Sequence, residues 1–172
     1  MKFGIGQPLK RKEDDKFLTG NGSYTDDISF RNLAHMYIIR SPFAFAKIKS
    51  IDFSEAYNLS GVISIIDHQT IKKLNINPML PGFTVKNKDG SDMIVTSRNI
   101  LATKKVRYVG QPILAIIADK LETAEEAADL VNIEYEELSS VTNIQKAISK
   151  SAPIVRDELK DNICFDWELG KK

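Results

Sequence analysis

Few side chains in this sequence have the type and spacing that chemistry demands. Its two histidines are His35 and His68. Neither has a second ligand at a spacing such as His-x-x-x-His, which would let one element grip a metal. His35 falls on a strand face and reads as a hydrogen-bonded core residue; His68, beside Asp67, reads as part of a helix's first turn. Cys164 is the single cysteine. Alone it can form neither an internal disulfide nor a four-ligand metal site, and without a helix start or neighbouring base to activate it, it reads as a buried or interface thiol. Asp26 and Asp27 are adjacent, so their carboxylates diverge instead of forming an acid and base pair, and a turn or edge role is expected. Glu134, Glu136 and Glu137 surround Ile133, Tyr135 and Leu138, the pattern of a solvated face opposite a buried one. Gly4-x-Gly6 and Gly20-x-Gly22 would cradle phosphate only between a strand and a helix, and no strand precedes them. They read as structural turns. The expectation is that no residue of this chain is catalytic, cofactor-binding or metal-ligating.

The elements that would position any such group are mixed α and β. Leu33 to Ile39 alternates with apolar residues on both faces, which predicts a strand covered on both sides. Ser41-Pro42 interrupts it, and Ala46-Lys47-Ile48-Lys49 resumes the alternation. Ser54 is placed to cap a brief helix through Leu59, with Gly61 as its stop, and Val62–Ile66 reads as a buried strand. Asp67 is placed to cap a second short helix through Leu74. Asn77-Pro78, Pro81-Gly82 and Lys88-Asp89-Gly90 then punctuate a long loop whose length suggests contact with something. Val106–Val109 and Ile113–Ala118 read as two strands around Gly110-Gln111-Pro112. Thr123 with Glu126 forms a capping-box pattern, and Ala124, Ala127, Ala128 and Val131 recur at helical spacing, so the longest helix is expected near 123–131. Ile133, Tyr135 and Leu138 mark another strand, and Asn143 caps a last short helix carrying Ile144, Ala147 and Ile148. The stretch to Asp27 and the tail from Ser151 lack periodicity and read as extended arms. The expected organisation is an N-terminal arm (1–27), an α+β domain (28–150) built on a mixed sheet with a few short helices, and a C-terminal arm or linker (151–172).

Two groups of residues invite contact with other parts of a larger protein. Gly110-Gln111-Pro112 is either a simple bend, glycine allowing the turn and proline setting the exit, or part of a surface in which Arg107, Tyr108 and Gln111 face a neighbouring domain. In the arms, Phe3, Ile5, Phe17 and Tyr24, and Ile154, Val155, Phe165 and Trp167, are apolar without periodicity. Such residues either fold back on the domain or cover another chain, and Phe17 and Trp167 are the candidate docking residues.

Composition closes off several function classes. The chain has 172 residues, enough for one ordinary domain. Lys plus Arg (24) nearly balances Asp plus Glu (23), leaving no net field to gather nucleic acid or anionic lipid. No run approaches the roughly 20 apolar residues that span a bilayer, and the first residues lack a signal-peptide core, so a cytoplasmic protein without a membrane span is expected.

The order of short motifs resembles one family. Arg11-Lys12-Glu13-Asp14, then Phe17-Leu18-Thr19-Gly20-x-Gly22-x-Tyr24-x-Asp26-Asp27, then Arg40-Ser41-Pro42-x-Ala44-x-Ala46-x-Ile48, Ile51-Asp52 and Gly61-Val62, resemble the start of aerobic carbon monoxide dehydrogenase large subunits. Val106-Arg107-Tyr108-Val109-Gly110-Gln111-Pro112, Ala124-x-x-Ala127-Ala128-x-x-Val131 and Tyr135-Glu136-x-Leu138-x-x-Val141 continue it in the same order. The resemblance implies an α/β-hammerhead domain of the molybdenum hydroxylases that oxidise carbon monoxide, xanthine or aldehydes, with Arg40 and Ser41 joining Arg107 to Pro112 in the shared motifs. In that family the large subunit continues for several hundred residues that bind a molybdopterin-type molybdenum cofactor and carry the catalytic glutamate, while iron–sulfur clusters and FAD sit on partner subunits. The resemblance thus implies a non-catalytic N-terminal domain, a separately encoded subunit or a shortened product, which binds no cofactor alone and whose partners are the cofactor-binding domains and the iron–sulfur and flavin subunits. An independent binding or assembly module that reuses the hammerhead fold is the alternative.

Overall fold

A computed structural model describes residue 6 and residues 8–170. The chain forms two compact units, residues 1–33 and 34–172. Phe3 and Ile5 lie outside the described residues.

The first unit is not wholly extended. It contains helix α1 (Asp14–Leu18) and a 3-10 turn at Thr25–Asp27. Asp14 and Asp15 place negative charge in the first turn of α1, where the helix dipole favours it. The Asp27 carboxylate accepts a hydrogen bond from the Tyr24 N–H at 2.8 Å, and the Phe17 and Tyr24 rings stack 5.1 Å apart. No described residue of this unit is buried.

The second unit holds the core. Its strands are β1 (His35–Arg40), β2 (Ala46–Asp52), β3 (Val62–Ile66), β4 (Lys105–Val106), β5 (Pro112–Ala118) and β6 (Asn132–Glu137). Two three-stranded sheets result, ordered β1-β5-β3 and β4-β2-β6, and each pairing is antiparallel. The class is α+β, as the sequence implies. β5 is a continuous apolar run, and its Ile113, Leu114 and Ile116 are fully buried. Side chains of the other sheet, Ala46 and Val106 among them, complete the same core.

Helices α2 (Ser54–Tyr57), α3 (His68–Lys73), α4 (Leu121–Asp129) and α5 (Ile144–Ala147) complete the unit. Two of the expected caps form as read: Asp67 Oδ1 accepts from the Thr70 N–H at 2.8 Å, and Asn143 Oδ1 from the Lys146 N–H at 3.1 Å. At α2 the capping carboxylate belongs to Asp52, which accepts from both the N–H and the hydroxyl of Ser54. Those bonds hold its pKa below the usual aspartate value.

Other expectations need correction. Helix α4 starts two residues before Thr123, at Leu121, with Lys120 at the cap and no side-chain cap bond. Thr123 is therefore inside the first turn; tertiary packing set the start by seating Ala124 and Ala127, both fully buried, against the sheet. The strand expected over Val106–Val109 ends at Val106. β1 and β3 are edge strands covered less than expected, with Met36 57% and Ile63 59% exposed. Both faces of β1 are apolar, but an edge position leaves part of that surface uncovered.

These local differences have a measurable contrast. Asp67→Ala is expected to lower unfolding stability by about 1 kcal/mol through loss of a real cap, whereas Thr123→Ala is expected to stay within about 0.5 kcal/mol. Denaturant melts of the two variants beside the parent check this, and a larger cost at Thr123 would return the cap to that residue.

Candidate functional site

Arg40 and Ser41 at the end of β1 meet Gly110 and Gln111 at the start of β5. The link is made by main chain. The Ser41 N–H donates to the Gln111 carbonyl at 2.9 Å, and the Gly110 N–H donates to the Ser41 carbonyl at 2.8 Å. Arg40 adds a side-chain bond from Nη1 to the Gly110 carbonyl at 3.0 Å. Ser41, 2% exposed, uses its hydroxyl twice, donating to the Phe43 carbonyl and accepting from the Phe43 N–H. The chain can thus turn at Ser41-Pro42 without stranding a buried polar group.

The segment between β4 and β5 is a bend with its own closure. Gly110 has φ +85°, a conformation that costs an L side chain about 1–2 kcal/mol. The Gln111 N–H donates to the Tyr108 carbonyl at 3.2 Å, and Gln111 Oε1 accepts from the Arg107 N–H at 2.7 Å. Gln111 is only 8% exposed. Pro112 opens β5 at a register shift opposite Arg40, a position where a missing N–H does least harm. Tyr108 and Val109 remain 53% and 64% exposed on the outside of the bend.

The tail beyond Ser151 has no helix or strand, yet it lies on the second unit. Asn162 fastens it: its amide donates to the carbonyls of Ala147 and Pro153, and its Oδ1 accepts from the Val155 N–H at 2.9 Å. Leu159 is 8% exposed. Farther along, the Ile94 N–H donates to the Cys164 carbonyl and the Lys88 N–H to the Asp166 carbonyl, which ties the long 75–104 loop to the tail. Phe165 and Trp167 stay half-exposed, and Met79, Leu80 and Phe83 on the loop are more exposed still. Phe17, in the other unit, is 43% exposed.

Where the bend, the tail and residues 97–99 approach, they line a cleft of about 680 Å³. Arg107 Nε donates to the Val155 carbonyl at 3.1 Å, and Arg156 Nη1 to the Ser97 carbonyl at 2.8 Å and to Glu158 at 2.9 Å. A hydrogen bond from Lys105, then the nearby charges of Lys105 and Arg107, holds the Asp157 carboxyl below its ordinary range. Glu158 is lowered first by a bond to its own backbone N–H, with Arg156 adding to it. Arg98, Arg156, Asp157 and Asn162 escaped the sequence reading. They lie in aperiodic stretches, and the adjacent charges Arg156-Asp157-Glu158 were the only available signal.

Among the described residues, no group of three or more His, Cys, Asp or Glu side chains is placed to hold a metal ion. His35 is on β1 and His68 opens α3. His68 Nδ1 is buried without a hydrogen-bond partner, beside a second cleft of about 350 Å³ between α3 and residues 99–103. These described residues do not make a molybdenum site. No described helix is long and apolar enough to cross a membrane.

Residues 19–139 match the model of the aldehyde oxidase and xanthine dehydrogenase a/b hammerhead domain. The chain belongs to that family. It is 32% identical to the carbon monoxide dehydrogenase large chain of Afipia carboxidovorans, over 98% of this chain and 21% of that one. With the nicotine 6-hydroxylase large subunit of Paenarthrobacter nicotinovorans it shares 34% identity, over 92% of this chain and 19% of the other. Among solved structures, quinoline 2-oxidoreductase from Pseudomonas putida 86 superposes with a TM-score of 0.73 at 33% identity, covering 94% of this chain and 20% of that chain. The Cu,Mo-CO dehydrogenase gives a TM-score of 0.72 at 31% identity. This hammerhead chain therefore spans about a fifth of the length of the relatives it matches.

The closure of the bend is testable in isolation. Gln111→Ala leaves the Arg107 N–H without its acceptor and is expected to cost about 1–3 kcal/mol. Gly110→Ala meets no atom within 4 Å, so its expected cost of about 1–2 kcal/mol is backbone strain alone. Equilibrium unfolding reads both, and a neutral Gly110→Ala would show that the bend relaxes out of the left-handed conformation.

Proposed function

We propose that this chain is the non-catalytic N-terminal portion of the large chain of a carbon monoxide dehydrogenase-like molybdenum hydroxylase, and that it serves in assembly with the cofactor-binding domains. The observation that carries this is coverage: likeness extends over 98% of this chain but only 21% of the carbon monoxide dehydrogenase large chain. Molybdopterin-type cofactor chemistry then belongs to domains outside this sequence, and iron–sulfur clusters and FAD to partner subunits. The bend at Arg107–Pro112, together with Arg40 and Ser41, shapes one face toward those domains. Phe17 and Trp167 supply apolar docking side chains, supported by their exposure of 43% and 49%.

The reading has two tests. The purified chain is expected to carry no stoichiometric molybdenum by elemental analysis. On co-expression with the cofactor-binding part of a large chain it is expected to co-purify, and Phe17→Asp or Trp167→Asp to reduce recovery while circular dichroism stays unchanged. Equal recovery of parent and substituted chains, all folded, would remove the docking assignment; no recovery of the parent either would leave an independent module as the better description.

A further inference from the structure

The cleft between the bend and the tail has a polar lining drawn from three stretches of chain. Gln111 carries the argument. Its Oε1 faces the Arg107 N–H at 2.7 Å, and since a backbone N–H can only donate, the atom facing it must be the oxygen. The amide nitrogen is thereby the end left over. It belongs to a side chain 8% exposed that lines the cleft, and no described group accepts from it. A donor held in place this way, at the wall of the cleft on a side chain that is otherwise buried, is positioned for an acceptor from outside.

The charges around it point the same way. Arg107 and Arg156 are 21% and 22% exposed, whereas the carboxylates beside them, Asp157 and Glu158, are 62% and 44% exposed. The arginine side chains are thus the more buried members of these pairs; Glu158 also lines the cleft and holds Arg156, so three guanidinium groups there face one lining carboxylate. Arg98 lines the same cleft with no acceptor for its guanidinium among the described residues. Tyr108 adds a phenol at the bend. Guanidinium and amide donors converging from separate segments suit a planar or tetrahedral oxyanion, because they can bond to two of its oxygens at once.

We propose that this cleft is an oxyanion site that takes the phosphate or carboxylate group of a small anionic ligand. Gln111 Nε2 and Arg98 supply the uncommitted donors, and Arg107 and Arg156 supply the surrounding positive charge. The site shares the bend with the face proposed for assembly, and titration of this chain without those domains tests it separately.

The test is a titration of the full 172-residue chain, followed through the side-chain amide resonances of Gln111 and the arginine Nε–H resonances. Inorganic phosphate and succinate are the probes, each at constant ionic strength against sodium chloride. Saturable shifts at Gln111 and Arg98 are expected with at least one probe, and whichever saturates identifies the anionic group. Arg98→Ala and Gln111→Glu are each expected to weaken binding about tenfold. The glutamate keeps the acceptor for the Arg107 N–H and replaces the donors by a repelling carboxylate. Shifts that match those in chloride, or that persist undiminished in folded Arg98→Ala, would overturn the site. Should Gln111→Glu fail to fold, the exposed Arg98→Ala decides alone.

Discussion

Burial of β5 on both of its faces is the constraint from which the rest of the second unit follows. A strand reading Pro-Ile-Leu-Ala-Ile-Ile-Ala offers no polar face to water, and burying an Ile or Leu side chain stabilises by roughly 1.5–3 kcal/mol. Its edges must be paired and its faces covered. β1 and β3 satisfy the edges, and α4 comes close on one side because Ala124 and Ala127 present almost no side chain. The second sheet shares the core through Ala46 and Val106.

Centrality of that strand also explains the care taken at its entrance. β5 starts with a proline, immediately after a residue with positive φ and opposite the point where β1 ends. Every backbone polar group there needs a partner, since the neighbouring side chains have already excluded water. Reciprocal bonds between Ser41 and the Gly110-Gln111 pair meet that need. Gln111 then closes the bend from inside. One residue serves the turn with its carbonyl oxygen and leaves its amide nitrogen toward the cleft, which is how a structural motif comes to line a polar recess.

The tail and long loop show how a sequence without periodicity can still be ordered. Asn162 replaces a regular element by satisfying three main-chain groups at once, and Arg107 and Arg156 reach across to carbonyls far along the chain. What these segments do not do is bury their largest apolar side chains: Phe83, Phe165 and Trp167 stay substantially exposed. A domain that spans about a fifth of its relatives' length accords with such surface.

What the sequence alone determined was local or self-evident in pattern. Asp67 and Asn143 could be recognised as caps because a cap bond joins residues three apart, and the β5 run could be recognised because no solvated strand has that composition. The ordered series of short motifs carried the family. Tertiary structure decided whatever depended on distant neighbours. It moved the start of α4 to Leu121, because seating two alanines on a sheet outweighs a capping pattern that the chain between residues 120 and 123 does not use. It stopped β4 at Val106, because the bend needed the Arg107 N–H for Gln111. It brought Arg98, Arg107 and Arg156 to one cleft from three stretches of chain that share no periodicity; no spacing rule reaches across the loops between them, and only the folding of the tail onto the bend placed them together.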